Sequence, residues 1–199
     1  LPADFYNLVF VNGFLNQTLS DDLATDILLT EVVTEDLQKE EGHVEAHLLN
    51  LSKSFLSKKL VIDIKKNKTF EKPLQIVVVQ SSKSSVYLSE KINIHVGENA
   101  ELTLILNTFS FANGAADALN INLDMTVADS ARVKLVQLQN EDVHSFHFSQ
   151  LNVNVASYAQ FQSLAMSLGS QLTRNYLHLN FLGQNASAGV FGLTILDSK

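Results

Sequence analysis

Two pairs of histidines are the residues whose spacing comes nearest to chemistry. In HVEAH, His43 and His47 stand at i, i+4, which on a helix would put two imidazoles on one face at zinc-ligating distance. A zinc protease of the H-E-x-x-H kind needs its general base directly after the first histidine. Val44 stands there instead, and Glu45 comes one position late. The pair therefore reads as incidental to a partly exposed helix. In HSFHF, inward-pointing Phe146 and Phe148 would turn His147 out of a sheet, with His144 near a corner.

The carboxylates Glu98, Glu101, Asp124 and Asp129 are dispersed, and nothing marks two of them as a glycosidase pair. No cysteine occurs, which excludes disulfides, thiol nucleophiles and thiolate metal sites within these residues and suits a cytoplasmic chain. Phosphate-binding glycine loops and the G-x-S-x-G elbow are also missing. The four N-x-S/T sequons, starting at Asn16, Asn50, Asn67 and Asn185, read as unmodified. These residues predict a chain that is not an enzyme and holds no metal or cofactor.

Elements can be placed from the same residues. The chain has 199 residues, 46% of them hydrophobic and 18% charged, enough for a sizeable core, and no apolar run long enough to span a membrane. It begins at Leu1, not Met, and so reads as an excised piece of something longer. The net charge of −7 is uneven: residues 1–50 hold ten acidic residues and one lysine, and residues 51–72 hold seven lysines. With only two arginines in the chain, the lysines read as a solvated face and not as a nucleic-acid site. YNLVFVNGFLNQTLS predicts a hairpin, because Asn12-Gly13 supplies the positive-φ pair of a two-residue turn. DILLTEVV predicts a short strand. Thr34 is a plausible N-cap for a helical segment in which Val44, His47, Leu48, Leu51 and Phe55 keep helical spacing and Gly42 marks a break.

From Leu60 the period becomes two. In LNINLDMTV, Leu119, Ile121, Leu123, Met125 and Val127 share one face, with Asn120, Asn122, Asp124 and Thr126 on the other. A corner then recurs: HVGENAELTL, TVADSARVKL, NVASYAQFQS and FLGQNASAGV. Its alanines Ala100, Ala131, Ala159 and Ala186 are 31, 28 and 27 residues apart, a period that predicts a stacked solenoid. The fourth corner carries one extra residue, with Leu182 in the corner position, which predicts a bulge or register shift. Two regions follow: 1–58, a hairpin plus acidic helical segment, and 59–199, a β-helix core truncated at its C-terminal end.

LVFVNGFLNQTLS, VIDIKKNKTFEKPLQIVVV, HVGENAELTLI and SLGSQLTRNYLHLNFLGQNASAGVFGLTIL, in this order, resemble the SufD branch of the SufB/SufD family. The matching positions in the last stretch are Ser167, Gly169, Arg174, Asn175, Leu177, Leu179, Leu182, Gly183, Ala186 and Gly192. Ser170 departs from it, where a second glycine is common. The resemblance implies a right-handed parallel β-helix and a cytoplasmic, non-catalytic scaffold in iron–sulphur cluster assembly. It also implies a SufB-like partner and a SufC-like ATPase as companions. The family's C-terminal section, which carries its partner-binding residues, has no counterpart here. The repeats alone leave open a carbohydrate-active β-helix enzyme or an adhesion solenoid. Val190, Phe191, Leu193 and Ile195 form an apolar last strand with little polar cover, which predicts an assembly edge and a homodimer of the chain.

Overall fold

The computed structural model describes residues 4–23, 26–33, 58–82, 84–111 and 116–195. The expected helical segment and the His43/His47 pair lie outside these residues. Within them every regular element is a strand: β1 (Tyr6–Val11), β2 (Phe14–Leu15), β3 (Ile27–Val33), β4 (Lys58–Ile64), β5 (Leu74–Gln80), β6 (Tyr87–Val96), β7 (Glu101–Ser110), β8 (Ala118–Val127), β9 (Arg132–Glu141), β10 (Phe146–Val155), β11 (Gln160–Gly169), β12 (Leu172–Phe181) and β13 (Ser187–Ile195). From β4 onward the chain alternates between two sheets. One has the order β13-β11-β9-β7-β5-β1-β2 and the other β12-β10-β8-β6-β4-β3. Each coil gives one strand to each sheet, and successive coils pair in parallel, so residues 58–195 make five coils of the predicted β-solenoid.

The N-terminal strands extend the same sheets. β1 adds in parallel to β5 and turns back into β2, while β3 adds antiparallel to β4. The hairpin turn is the predicted one, with both Asn12 (φ 50) and Gly13 (φ 85) left-handed. Asn12 also holds the neighbouring chain: its Nδ2 donates to Ser81 O at 2.9 Å, and Ser81 N donates to its Oδ1 at 2.8 Å.

The repeated corner joins the two sheets, and its alanines stack in line. Ala100, Ala131 and Ala159 are fully buried, and each N–H donates to the carbonyl three residues back, at 3.1, 3.1 and 3.3 Å. The residue before each alanine turns the chain by adopting positive φ: Asn99 (55), Ser130 (59), Tyr158 (58) and Asn185 (57). Their amides bind the next coil in turn: Asn99 N to Asp129 O, Ser130 N to Ser157 O and Tyr158 N to Gln184 O, at 2.9–3.0 Å. Asn67 (φ 59) marks an earlier corner that the alanine pattern does not show, because Lys68 follows it.

The bend's conformational freedom therefore resides one place before the second alanine, and not at the small residue after the first strand. That residue is small for a steric reason. A Cβ on Gly97 would lie 2.7 Å from Lys66 N, and one on Gly183 would lie 2.6 Å from Ser157 N. The extra residue of the fourth corner is absorbed inside the corner. β12 stays paired with β10 residue for residue, as β13 does with β11, so neither strand carries the expected bulge or shift.

Two substitutions test this packing. At Gly169, φ is +74 and a Cβ would lie 1.9 Å from Glu141 O. Gly169→Ala should lower the unfolding free energy by about 2 kcal/mol or more. Ala131→Leu should overpack its corner and cost about 1–3 kcal/mol. Urea denaturation of the two variants beside the parent chain measures both.

Candidate functional site

Strand alternation puts odd-numbered residues of β9 and β11 inside the solenoid, but the apolar phase reverses half-way along each strand. In β9, Val133 and Leu135 point in, followed by Gln137, Gln139 and Glu141 in the inward row, while Val136 and Leu138 face out. In β11 only Phe161 is a large apolar inward residue. Ser163, Ala165 and Ser167 continue the inward row, and Leu164, Met166 and Leu168 face out. β13 repeats this, with Ala188, Val190, Gly192 and Thr194 in register with the inward row and Phe191, Leu193 and Ile195 with the outward one. The result is a half-solenoid with a polar inside and an apolar outer face that crosses three strands.

The polar inside is organised around a buried pair. His147 Nδ1 lies 2.8 Å from Glu141 Oε1, and both side chains are almost fully buried. One of the two atoms donates and the other accepts in this contact. Gln139 Nε2 donates to Thr173 Oγ1 (2.9 Å) and Ser170 Oγ (3.0 Å), tying β9 to the last coil. Ser110 Oγ accepts from Asp142 N at 2.7 Å and meets Ser145 Oγ at 3.0 Å. Beyond this cluster a void of about 250 Å³ opens between β11, β12 and β13, lined by Gln137, Ser149, Ser163, Ser167, Asn175 and Val190 among others.

The two histidines of HSFHF are separated. His144 lies at an exposed corner, where its N and Nδ1 both bind Asp142 Oδ1 at 2.8 Å. His147, expected to face out, instead faces in. The register places it beside Leu119 and Thr173 in the inward row, and Phe146 and Phe148 take the outer face. The carboxylates stay dispersed: Glu101 pairs with Arg132 (2.6 Å), Asp129 Oδ1 accepts from Ser157 N (3.0 Å), and Asp124 binds Lys91 and Asn152. Lys91 comes from the preceding coil, so Asp124 has the basic neighbour that its own strand lacks. Among the described residues no three His, Cys, Asp or Glu side chains gather to hold a metal.

Of the four residues expected at an assembly edge, all are exposed, from 47% at Leu193 to 63% at Phe191. Val190 and Phe191 both line the open void, and Phe191, Leu193 and Ile195 are in register with Leu164, Met166 and Leu168 of the outward row. The sequence reading assigned apolar residues to the inside throughout, and so missed both the outer face and the polar interior behind it.

A family model described as "SUF system FeS cluster assembly, SufBD core domain" matches residues 77–199. The chain belongs to the SufBD core domain family. Its role therefore lies in the SUF system of iron–sulphur cluster assembly. The matched region begins within β5 and takes in the four coils that follow, the half-solenoid with the reversed phase included. A search of the curated proteins finds no match to the chain. No helix among the described residues is long and apolar enough to cross a membrane.

One further carboxylate, half-buried, lies in the SufBD core. Glu90 is in the inward row of β6, in register with Ile121, and a Cβ on Gly13 of the hairpin would lie 3.2 Å from its Oε1. Burial, with the charge of Glu31 adding to it, pushes the Glu90 carboxyl up to about 7. A carboxyl held above its unfolded value favours the folded state fully below pH ~4.5, and the contribution is lost as pH rises to about 7. Stability should therefore fall by up to about 3 kcal/mol across this window. Glu90→Gln should flatten that decline; denaturation at pH 5 and pH 8 measures it.

Proposed function

We propose that the chain is a non-catalytic scaffold subunit of the SufD kind, which works in the cytoplasm with a SufB-like subunit and a SufC-like ATPase. In this reading the iron–sulphur cluster is the cargo of the assembly, and these residues bind no cofactor of their own. The observation that carries it is the apolar outer face of Leu164, Met166, Leu168, Phe191, Leu193 and Ile195 on the last two described coils. A continuous apolar surface on a soluble subunit is a contact for another protein. The SufD assignment over SufB draws on the N-terminal hairpin, which lies outside the matched core domain. The hydrolase alternative lacks support among the described residues, where Asp124 is engaged by Lys91 and Asn152 and has no second carboxylate opposite it.

Two measurements test this. Co-expressed with a SufB-like subunit and a SufC-like ATPase, the chain should co-purify with them. Phe191→Lys or Leu193→Lys should then weaken the association about tenfold or more without lowering the melting temperature of the solenoid. On its own the chain should self-associate, most simply as a two-fold dimer covering the same strands. A clean monomer of 22.0 kDa in sedimentation at low micromolar concentration would refute the dimer.

A further inference from the structure

The interior contains a second, smaller cavity at the point where apolar packing gives way to the polar cluster. It measures about 20 Å³ and lies among Leu106, Thr108, Ile121, Gln139, His147 and Ser149. A water needs roughly 10–15 Å³ and two to four polar partners, so the space suits one water and nothing larger. The lining contains an unmet demand for a hydrogen bond. Thr108 is 3% exposed, and its Oγ1 has no partner among the described residues. His147 gives Nδ1 to Glu141, which leaves Nε2 as the other polar atom of a ring that lines the cavity. Ser149 adds a hydroxyl on the same strand and the same inward row as His147.

We propose that this cavity is a structural water site, in which one ordered water is bound by the Thr108 hydroxyl together with the polar groups of β10. The driving force is the cost of burying a hydroxyl without a partner, which a water removes and an apolar filling cannot. The position of the site gives it a use. Thr108 is on β7, Gln139 on β9 and His147 on β10, so a water here would join successive coils where the apolar core stops doing so. Apolar cavities of small proteins behave differently: they stay dry and admit xenon.

The test uses two properties of the intact chain. Crystals would be examined at a resolution that shows single waters, with a parallel set held under xenon. We expect an ordered water within hydrogen-bonding distance of Thr108 Oγ1 and no xenon. A xenon atom in the cavity, or the absence of that water, overturns the proposal. The second measurement is the melting temperature of Thr108→Val, which keeps the side chain's shape and removes its hydroxyl. If a water is bound there, the variant leaves it short of a partner and the melting temperature falls, by about 2–4 °C for a chain of this size. If the cavity is dry, valine removes an unsatisfied hydroxyl, and a variant as stable as the parent or more so overturns the proposal.

Discussion

Each coil satisfies its backbone hydrogen bonds on the coils before and after it, and that constraint sets nearly everything else about this chain. A strand in the middle of either sheet has no partner within its own coil, so its residues must present N–H and C=O at the same height as their counterparts in the neighbouring coil, 26 to 32 positions away. The corners meet the same demand. The left-handed residue in each presents its amide to a carbonyl of the next corner, so the turns are part of the ladder between coils. This explains why small side chains are needed where successive corners approach closely, and why an added residue is absorbed in a corner and not in a strand.

Stacking of this kind leaves side chains more freedom than a closed core would. Inward rows must fill the space between the two sheets, and Leu74, Ile76, Ile94, Leu104 and Leu123 do so in the first coils. Further along, the inward rows carry Gln139, Glu141, His147, Ser149 and Ser163, of which Gln139, Glu141 and His147 are held by hydrogen bonds across coils, while apolar residues in the later halves of β9, β11 and β13 turn outward. Burying polar groups in this way costs least where they find one another, as Gln139, Glu141 and His147 do. The result is a surface: residues that would otherwise thicken the core form an apolar outer face.

The solenoid spreads its charged side chains along its coils. They are engaged in ion pairs such as Glu101–Arg132 or in corner bonds such as Asp142–His144, and among the described residues no three His, Cys, Asp or Glu side chains gather to hold a metal. The chain belongs to a family of iron–sulphur cluster assembly, and its backbone ladder supplies the frame on which the reversed strands form an apolar outer face.

The solenoid was legible in the chain because its cause is local and repeated: the alanine spacing, the Asn-Gly turn and the period-two rows each follow from the sterics of a few neighbouring residues. The corner at Asn67 was missed because the feature that makes it, a left-handed residue bound to the next coil, does not require alanine after it. The direction of the His147 ring was misread for a related reason. Alternation gives the two faces of a strand but not which is inside, and in HSFHF the aromatic residues outweigh a histidine on any hydropathy scale. What turned His147 inward was the register that β10 shares with β8, which fixes Leu119 and His147 in one row, and a buried carboxylate six residues earlier to receive it. Residue spacing thus determined the path of the backbone. Which side of each strand became core and which became outer face was decided only when the coils were stacked, because a side chain's facing is a property of its neighbours in the ladder and not of its own segment.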